Sequence, residues 1–275
     1  MPPSSELLAD VERWMDRLFV AAPGARLRTE DRRKAVEVAA MLLEVRRAAE
    51  RCGQRADRTE APGLTLVDAA AGKTYVGLLA AHLALRRGTN QPGRIVAIER
   101  EAQRAAVAAD AARTLAQLTE AVPVEVRVAD VGDESAWPPS PDIVVGLHAC
   151  GPAADVIITQ AINQKARHLL LVPCCTGDAI SVMEQAQATA MRLGIPRHAP
   201  VRRRCLQSFV DAARTWRLEA AGYETEVVEL CAPTTTPHNL LWRARRVGEP
   251  TRQARAQAAL ARLLSSSEES VSRDQ

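Results

Sequence analysis

The segment Asp68-Ala69-Ala70-Ala71-Gly72-Lys73-Thr74-Tyr75-Val76-Gly77 joins a short apolar run to a helical pattern. A strand, a turn of small residues and a helix let a nucleotide-like ligand approach the backbone. Further along, Glu99 and Asp130 each close an apolar run, and His148 follows another. Carboxylates at strand ends accept hydrogen bonds from ligand hydroxyls and amines. An imidazole titrates near neutrality and suits removal of a proton from a hydroxyl or amine nucleophile. His148 is therefore either a general base or substrate positioner, or a hydrogen-bonded strand-end residue. Cys174 and Cys175 follow the next apolar run, where they either line a substrate pocket or pack structurally.

Three ligand readings compete at the first loop. A phosphate-binding Walker loop needs a glycine five positions before Gly72, and Val67 stands there. A dinucleotide fingerprint places Tyr75 at its third glycine position, where a bulky side chain opposes close helix–strand packing. The third reading is the S-adenosylmethionine loop of class I methyltransferases. It gains from the other strand ends, because Glu99 is placed to accept both ribose hydroxyls and Asp130 to lie near the adenine amino group. Ligands in open α/β sheets bind outside the carboxyl ends of the strands, where all these groups converge.

The elements that hold these residues follow from the pattern. Leu64–Val67, Arg94–Ile98, Val124–Val128, Asp142–Leu147 and His168–Val172 are short Val/Ile/Leu-rich runs. Helical segments at 75–87, 101–119 and 152–165 alternate with them, which predicts a parallel sheet covered on both faces. Helices over 178–193 and 206–221 follow, the second preceded by Arg202-Arg203-Arg204 as a solvated basic turn. Glu224–Leu230 and Leu240–Arg245 are joined too briefly for a helical crossover, so they predict an antiparallel hairpin turning at His238-Asn239. Two amphipathic helices, 5–20 and 29–52, precede the sheet and either cap the site or pack on it. The expected organisation is an N-terminal helical extension (1–59), one α/β domain (60–247), and a last helix with a polar, disordered tail (248–275).

Gly146-Leu147-His148-Ala149-Cys150-Gly151, Pro173-Cys174-Cys175 and Thr236-Pro237-His238-Asn239-Leu240-Leu241 follow the first loop in order. The combination resembles the methyltransferase-domain family that includes the glutathione S-transferase C-terminal-domain-containing protein and methyltransferase-like protein 25. Some elements are similar to those of a tRNA 2′-O-methyltransferase family. The resemblance covers about residues 33–246. It implies a Rossmann-like, doubly wound, mostly parallel seven-stranded sheet and S-adenosylmethionine as methyl donor. It implies cofactor contacts at Asp68, Ala70, Gly72, Glu99 and Asp130. Leu147, at the fourth strand's end, is expected beside them, and His148 just after it is the candidate catalytic residue. Ala70 and Thr74 depart from the pattern, standing where such loops usually carry glycine. The alternative is a non-catalytic S-adenosylmethionine-binding or RNA-interaction module. The methyl acceptor is unidentified, with RNA and protein among the open classes, and the oligomeric state is open.

The 275 residues are 47% hydrophobic and 25% charged, enough for a sizeable core and against wholesale disorder. No window approaches the about 18 apolar residues of a membrane span. The start, MPPSSELLADVERW, lacks the charged and apolar regions of a signal peptide. A soluble cytoplasmic protein without a membrane partner is expected. A net charge of +3 is too mild to demand nucleic acid. Of the 36 basic residues only Lys34, Lys73 and Lys165 are lysine. That bias discounts arginine runs as phosphate sites, and an aromatic share of 3% provides no stacking platform. The six scattered cysteines form no Cys-x-x-Cys pair, so free thiols are expected and no metal site.

Overall fold

The computed structural model describes residues 3–20, 27–53, 63–85, 93–174, 177 and 179–265. Two helices come first, α1 (Ser5–Phe19) and α2 (Thr29–Gly53). The strands are β1 (Thr65–Ala69), β2 (Arg94–Glu99), β3 (Val124–Val128), β4 (Ile143–Ala149), β5 (His168–Pro173), β6 (Tyr223–Glu229) and β7 (Leu240–Arg246). They form one sheet in the order β3-β2-β1-β4-β5-β7-β6. The first five strands are parallel, and β7 runs antiparallel to both β5 and β6. This is the doubly wound sheet with a terminal hairpin that the apolar pattern predicts. The order reverses between β1 and β4, and such a switch point opens a crevice at the strand carboxyl ends.

The central strands β1, β2, β4 and β5 are mostly apolar because both of their faces are covered. Leu66, Ile95, Val145 and Leu170 join Val38, Leu42, Val45, Leu78 and Leu115 in one core. Their neighbours Val67, Val96, Val144 and Leu169 join Ile157, Ile158, Leu218 and Trp242 in the other. Successive strand side chains point to opposite faces, which produces this division. The remaining helices are α3 (Tyr75–Leu79), α4 (Ala102–Leu118), α5 (Ala153–Asn163), α6 (Met183–Arg192), α7 (Ala199–Ala220) and α8 (Pro250–Ser265). The apolar face of α2 lies in the same core as β1, β4 and β5. None of the described helices is long and apolar enough to cross a membrane.

Several local expectations are corrected. The helix expected over 75–87 is α-helical only to Leu79, and Ala80–Ala84 form a π-turn. Val122 donates its N–H to the Ala81 carbonyl at 3.1 Å, while Leu85 N–H bonds to Ala80 O at 2.8 Å. An outside donor thus occupies the carbonyl that would continue the α-helix, and the ladder shifts by one. Residues 86 and 87 lie outside the described residues. Arg202, Arg203 and Arg204 are not a turn but lie in the opening turns of α7, which starts at Ala199-Pro200. Proline is pre-organised for a helix start, and arginine is a good helix former. Finally, Cys150 and Cys174 are not free thiols. They form a disulfide with Cα atoms 5.4 Å apart, because neighbouring parallel strands β4 and β5 end side by side. Cys205 and Cys231 are free thiols. The linker expected near 53–63 and the tail after 265 fall largely outside the described residues. The β6–β7 hairpin is present, but its hydrogen-bonded turn is Ala232–Thr235 (Thr235 N–H to Ala232 O, 2.9 Å) rather than His238-Asn239. Asn239 already lies on the return arm, where its carbonyl accepts the Leu230 N–H and its Nδ2 donates to Cys231 O at 2.8 Å.

Candidate active site

The loop after β1 bends through left-handed backbone at Ala70 (φ 53°), Gly72 (φ 57°) and Thr74 (φ 61°). Glycine takes such angles freely, alanine at a cost, and a β-branched threonine is an outlier. The two departures from the glycine pattern therefore sit where glycine fits best. Ala71 N–H bonds to Ile98 O at 3.0 Å and Thr74 N–H to Ala71 O at 2.7 Å, which pins the loop to β2. Thr74 is fully buried, and its Oγ1 has no hydrogen-bond partner. A side chain at Gly77 would meet Thr74 Cγ2 at 2.7 Å and Asp68 Oδ2 at 3.0 Å, so the helix start packs tightly on β1.

Asp68 is 2% exposed and accepts the Gly77 N–H at 2.9 Å. Burial pushes its pKa up to about 7, against the pull of that hydrogen bond and the Lys34 charge. Glu99, also buried, accepts Gly72 N–H on Oε2 at 2.7 Å and Glu101 N–H on Oε1 at 2.9 Å. Asp130 is exposed, and its Oδ1 accepts the Gly132 N–H at 2.8 Å.

His148 sits at φ 64° where the β4–β5 register shifts between Leu147 and Ala149. Its Nε2 lies 2.8 Å from Glu37 Oε2, and Lys34 Nζ lies 3.3 Å from the same oxygen. Both partners come from α2. Burial would raise the Glu37 pKa, but the His148 hydrogen bond and the Lys34 charge outweigh it and hold the carboxyl below its usual range. Burial lowers the Lys34 ammonium pKa, against the pull of Glu37.

A cleft of about 200 Å³ opens between these elements, lined by Lys34, Asp68, Ala70, Gly72, Leu147 and His148, with Lys73 and Arg104 also on its wall. The structure thus brings five of the expected residues to one cleft and ties a sixth, Glu99, to it through Gly72. Asp130 does not line it. Cys174 is half-buried in its disulfide beside the His148 carbonyl, its sulfur 3.7 Å from that oxygen. Cys175 lies outside the described residues. No cluster of metal-ligating side chains is present among the described residues.

Lys34 and Glu37 were not expected at the site. Their signal is a stripe at helical spacing, Glu37, Met41, Glu44 and Ala48, all four buried. Two acids on an apolar stripe need partners in the interior. Glu44 finds Arg47 and Arg243, and Glu37 finds Lys34 and His148.

A family model described as a methyltransferase domain matches residues 33–180, more than half of the chain. The match bears out the methyltransferase-domain resemblance and singles out neither of the two members named above. A search among curated proteins returns no match. Among solved structures, a magnesium protoporphyrin IX methyltransferase from Synechocystis with bound SAH is 12% identical. It covers 87% of this chain and 95% of its own, with a TM-score of 0.49. An rRNA methylase from Streptococcus thermophilus is 8% identical, covering 77% and 96%, with a TM-score of 0.44. A methyltransferase from Geobacter sulfurreducens is 13% identical, covering 90% and 91%, with a TM-score of 0.40. The fold assignment rests on the strand order above rather than on these similarities.

Proposed function

The chain belongs to this methyltransferase-domain family, and from that premise we propose that it uses S-adenosylmethionine to methylate an RNA or protein acceptor. The observation that carries the reading is the convergence of Asp68, the 70–74 loop, Leu147 and His148 on one cleft at the β1/β4 switch point.

The residues present fit such a ligand. Each Glu99 oxygen accepts one backbone N–H. A carboxylate oxygen has a second lone pair, so a ribose hydroxyl can be met on each. Nothing lies within 4 Å of a side-chain position built on Gly72, so the loop faces open space. Asp68 is a buried carboxyl held at about 7, and a ligand ammonium beside it would add to the Lys34 charge in favouring its ionised form. Asp130, at the end of β3, is the group offered to the adenine edge.

Bound there, S-adenosylmethionine supplies a methyl carbon activated by its sulfonium. The loop and Glu99 hold the donor, and alignment for in-line displacement is the main task left to the protein. His148, on the rim formed by β4, takes the proton that an acceptor hydroxyl or amine loses. A second reading, a non-catalytic binding module, is favoured by one observation, the left-handed backbone at Ala70 and Thr74. The deciding experiment is transfer of a labelled methyl group from S-adenosylmethionine into cell extract, followed by RNase or protease treatment. Label lost to one nuclease or protease identifies an enzyme and its acceptor class. Donor binding with no label incorporated into any fraction supports the binding module.

A further inference from the structure

The geometry points to Glu37 as a positioning residue that fixes which nitrogen of His148 is free to take the acceptor's proton. The inference rests on His148 being the base of the proposed reaction. Glu37 stands 111 positions before His148 in the chain, on α2 rather than on the sheet. It is 6% exposed, and its Oε2 meets both His148 Nε2 and Lys34 Nζ. A buried acid in an apolar core is costly unless paired. This one is paired with the ring that borders the cleft.

The tautomer follows from the chemistry of the pair. Glu37 is an ionised carboxylate, held so by its two partners, and a carboxylate only accepts hydrogen bonds. The hydrogen between the two residues therefore belongs to His148 Nε2. In the neutral ring Nδ1 then carries the lone pair, and Nδ1 is the atom that accepts a proton. When it does, the Glu37 carboxylate stabilises the imidazolium, as the acid does in a hydrolase triad. The opposite end of the residue is also fixed. His148 lies at a strand bulge with left-handed backbone, and the sulfurs of Cys150 and Cys174 lie 3.5 and 3.7 Å from its carbonyl oxygen.

Other charged and titratable groups face this pair. Lys34 also feels the charge of Asp68, and Lys34, Asp68, Lys73 and Arg104 share the cleft wall. Cys231, which follows β6, feels the charge of Glu37: burial, with Glu37 and Glu229 adding to it, raises its thiol pKa. Lys34 is the cation in contact with Glu37, which is why the carboxylate remains charged before any proton arrives.

The test is nitrogen-15 NMR of the histidine rings in the full chain at neutral pH, without donor or acceptor. The His148 signals are identified by their loss in His148→Asn. We expect the neutral ring protonated at Nε2, with that proton protected from exchange with water. Glu37→Ala is expected to speed its exchange about ten-fold or more, as loss of a charged hydrogen bond implies. Glu37→Gln, whose amide oxygen still accepts, should restore part of the protection. A wild-type ring protonated at Nδ1, or an Nε2 proton that exchanges equally fast in wild type and Glu37→Ala, would overturn the assignment. The wild-type spectrum decides even if a variant fails to fold. Titration of the wild type with S-adenosylhomocysteine is run alongside. Absence of binding removes the functional reading, whereas binding with the wrong tautomer removes only the role of Glu37.

Discussion

Glu99 Oε2 accepts the backbone N–H of Gly72 at 2.7 Å, which locks the end of β2 to the crest of the loop after β1. The carboxylate thus shapes the loop before any ligand enters, and under the proposed function its remaining lone pairs accept the ribose hydroxyls. Glu99→Ala should weaken S-adenosylhomocysteine by roughly 1.5–3 kcal/mol, the range for charged hydrogen bonds. Glu99→Gln, which keeps one acceptor oxygen for the loop, should lose less. Equal affinity of Glu99→Ala and wild type in calorimetry, with both folded, would remove Glu99 from the donor site.

Ala70 and Thr74 hold left-handed backbone that costs an L-residue roughly 1–2 kcal/mol. Glycine relieves that cost but gives up about 0.4–1 kcal/mol through greater freedom of the unfolded chain. Ala70→Gly should therefore raise stability by up to about 1.5 kcal/mol in denaturant unfolding. Thr74→Gly also removes a buried hydroxyl with no partner. The double variant should bind S-adenosylhomocysteine more tightly if the loop is strained against its ligand. Unchanged or weaker binding would mean the loop is already adapted to it.

His148 should govern turnover more than donor affinity. A general base contributes about 10²–10⁴-fold to rate, so His148→Ala should lower methyl transfer by that factor. S-adenosylhomocysteine binding should change little. Full turnover in a folded variant would make His148 a structural strand-end residue. Lost donor affinity with turnover intact at saturation would place it on the donor side of the cleft.

Asp68 has its pKa raised by burial to about 7, above the roughly 3.9 of an unfolded aspartate. Between these values the folded state holds a proton that the unfolded state releases. Its contribution to stability is therefore lost as pH rises from about 4 to 7. Asp68→Asn keeps an acceptor for the Gly77 N–H and cannot ionise. It should raise stability above neutral pH by about 0.5–2 kcal/mol while weakening the donor, a trade of function for stability. Thermal unfolding across pH 5–8 checks the sign.

His168, the buried first residue of β5, has the opposite sign. Burial, with Arg51 and Arg245 nearby, lowers its pKa to about 4, against an unfolded value of about 6.5. Between these values the unfolded state binds the proton and the folded state does not. Stability is therefore fully present above about 6.5 and falls as pH drops toward 4, by on the order of 3 kcal/mol. His168→Gln should flatten that part of the profile. A variant with the same acid slope as the wild type would show that His168 is not its source.

Much of this architecture is legible in the sequence because the central strands are buried on both faces. Runs such as Ile95–Ile98 and Leu169–Val172 then have no polar alternation to obscure them, and their ends place Asp68, Glu99, Asp130 and His148. What escaped depends on contacts between distant segments. The π-turn at Ala80–Ala84 follows from a donor at Val122, and the Cys150–Cys174 pairing from strand adjacency. Glu37 reads as one more acid on a charged helix until β4 brings His148 to it. The Arg202–Arg204 run looked like a solvated turn because its charge hid a helix start marked by Pro200.

The central claim is that the β1/β4 cleft is an S-adenosylmethionine site, and isothermal titration of the full chain tests it most directly. S-adenosylmethionine and S-adenosylhomocysteine should each bind one to one, ATP and NAD should not, and Glu99→Ala should weaken both adenosyl ligands by about 10–100-fold. Binding of ATP or NAD in their place, or adenosyl binding indifferent to Glu99, would contradict it.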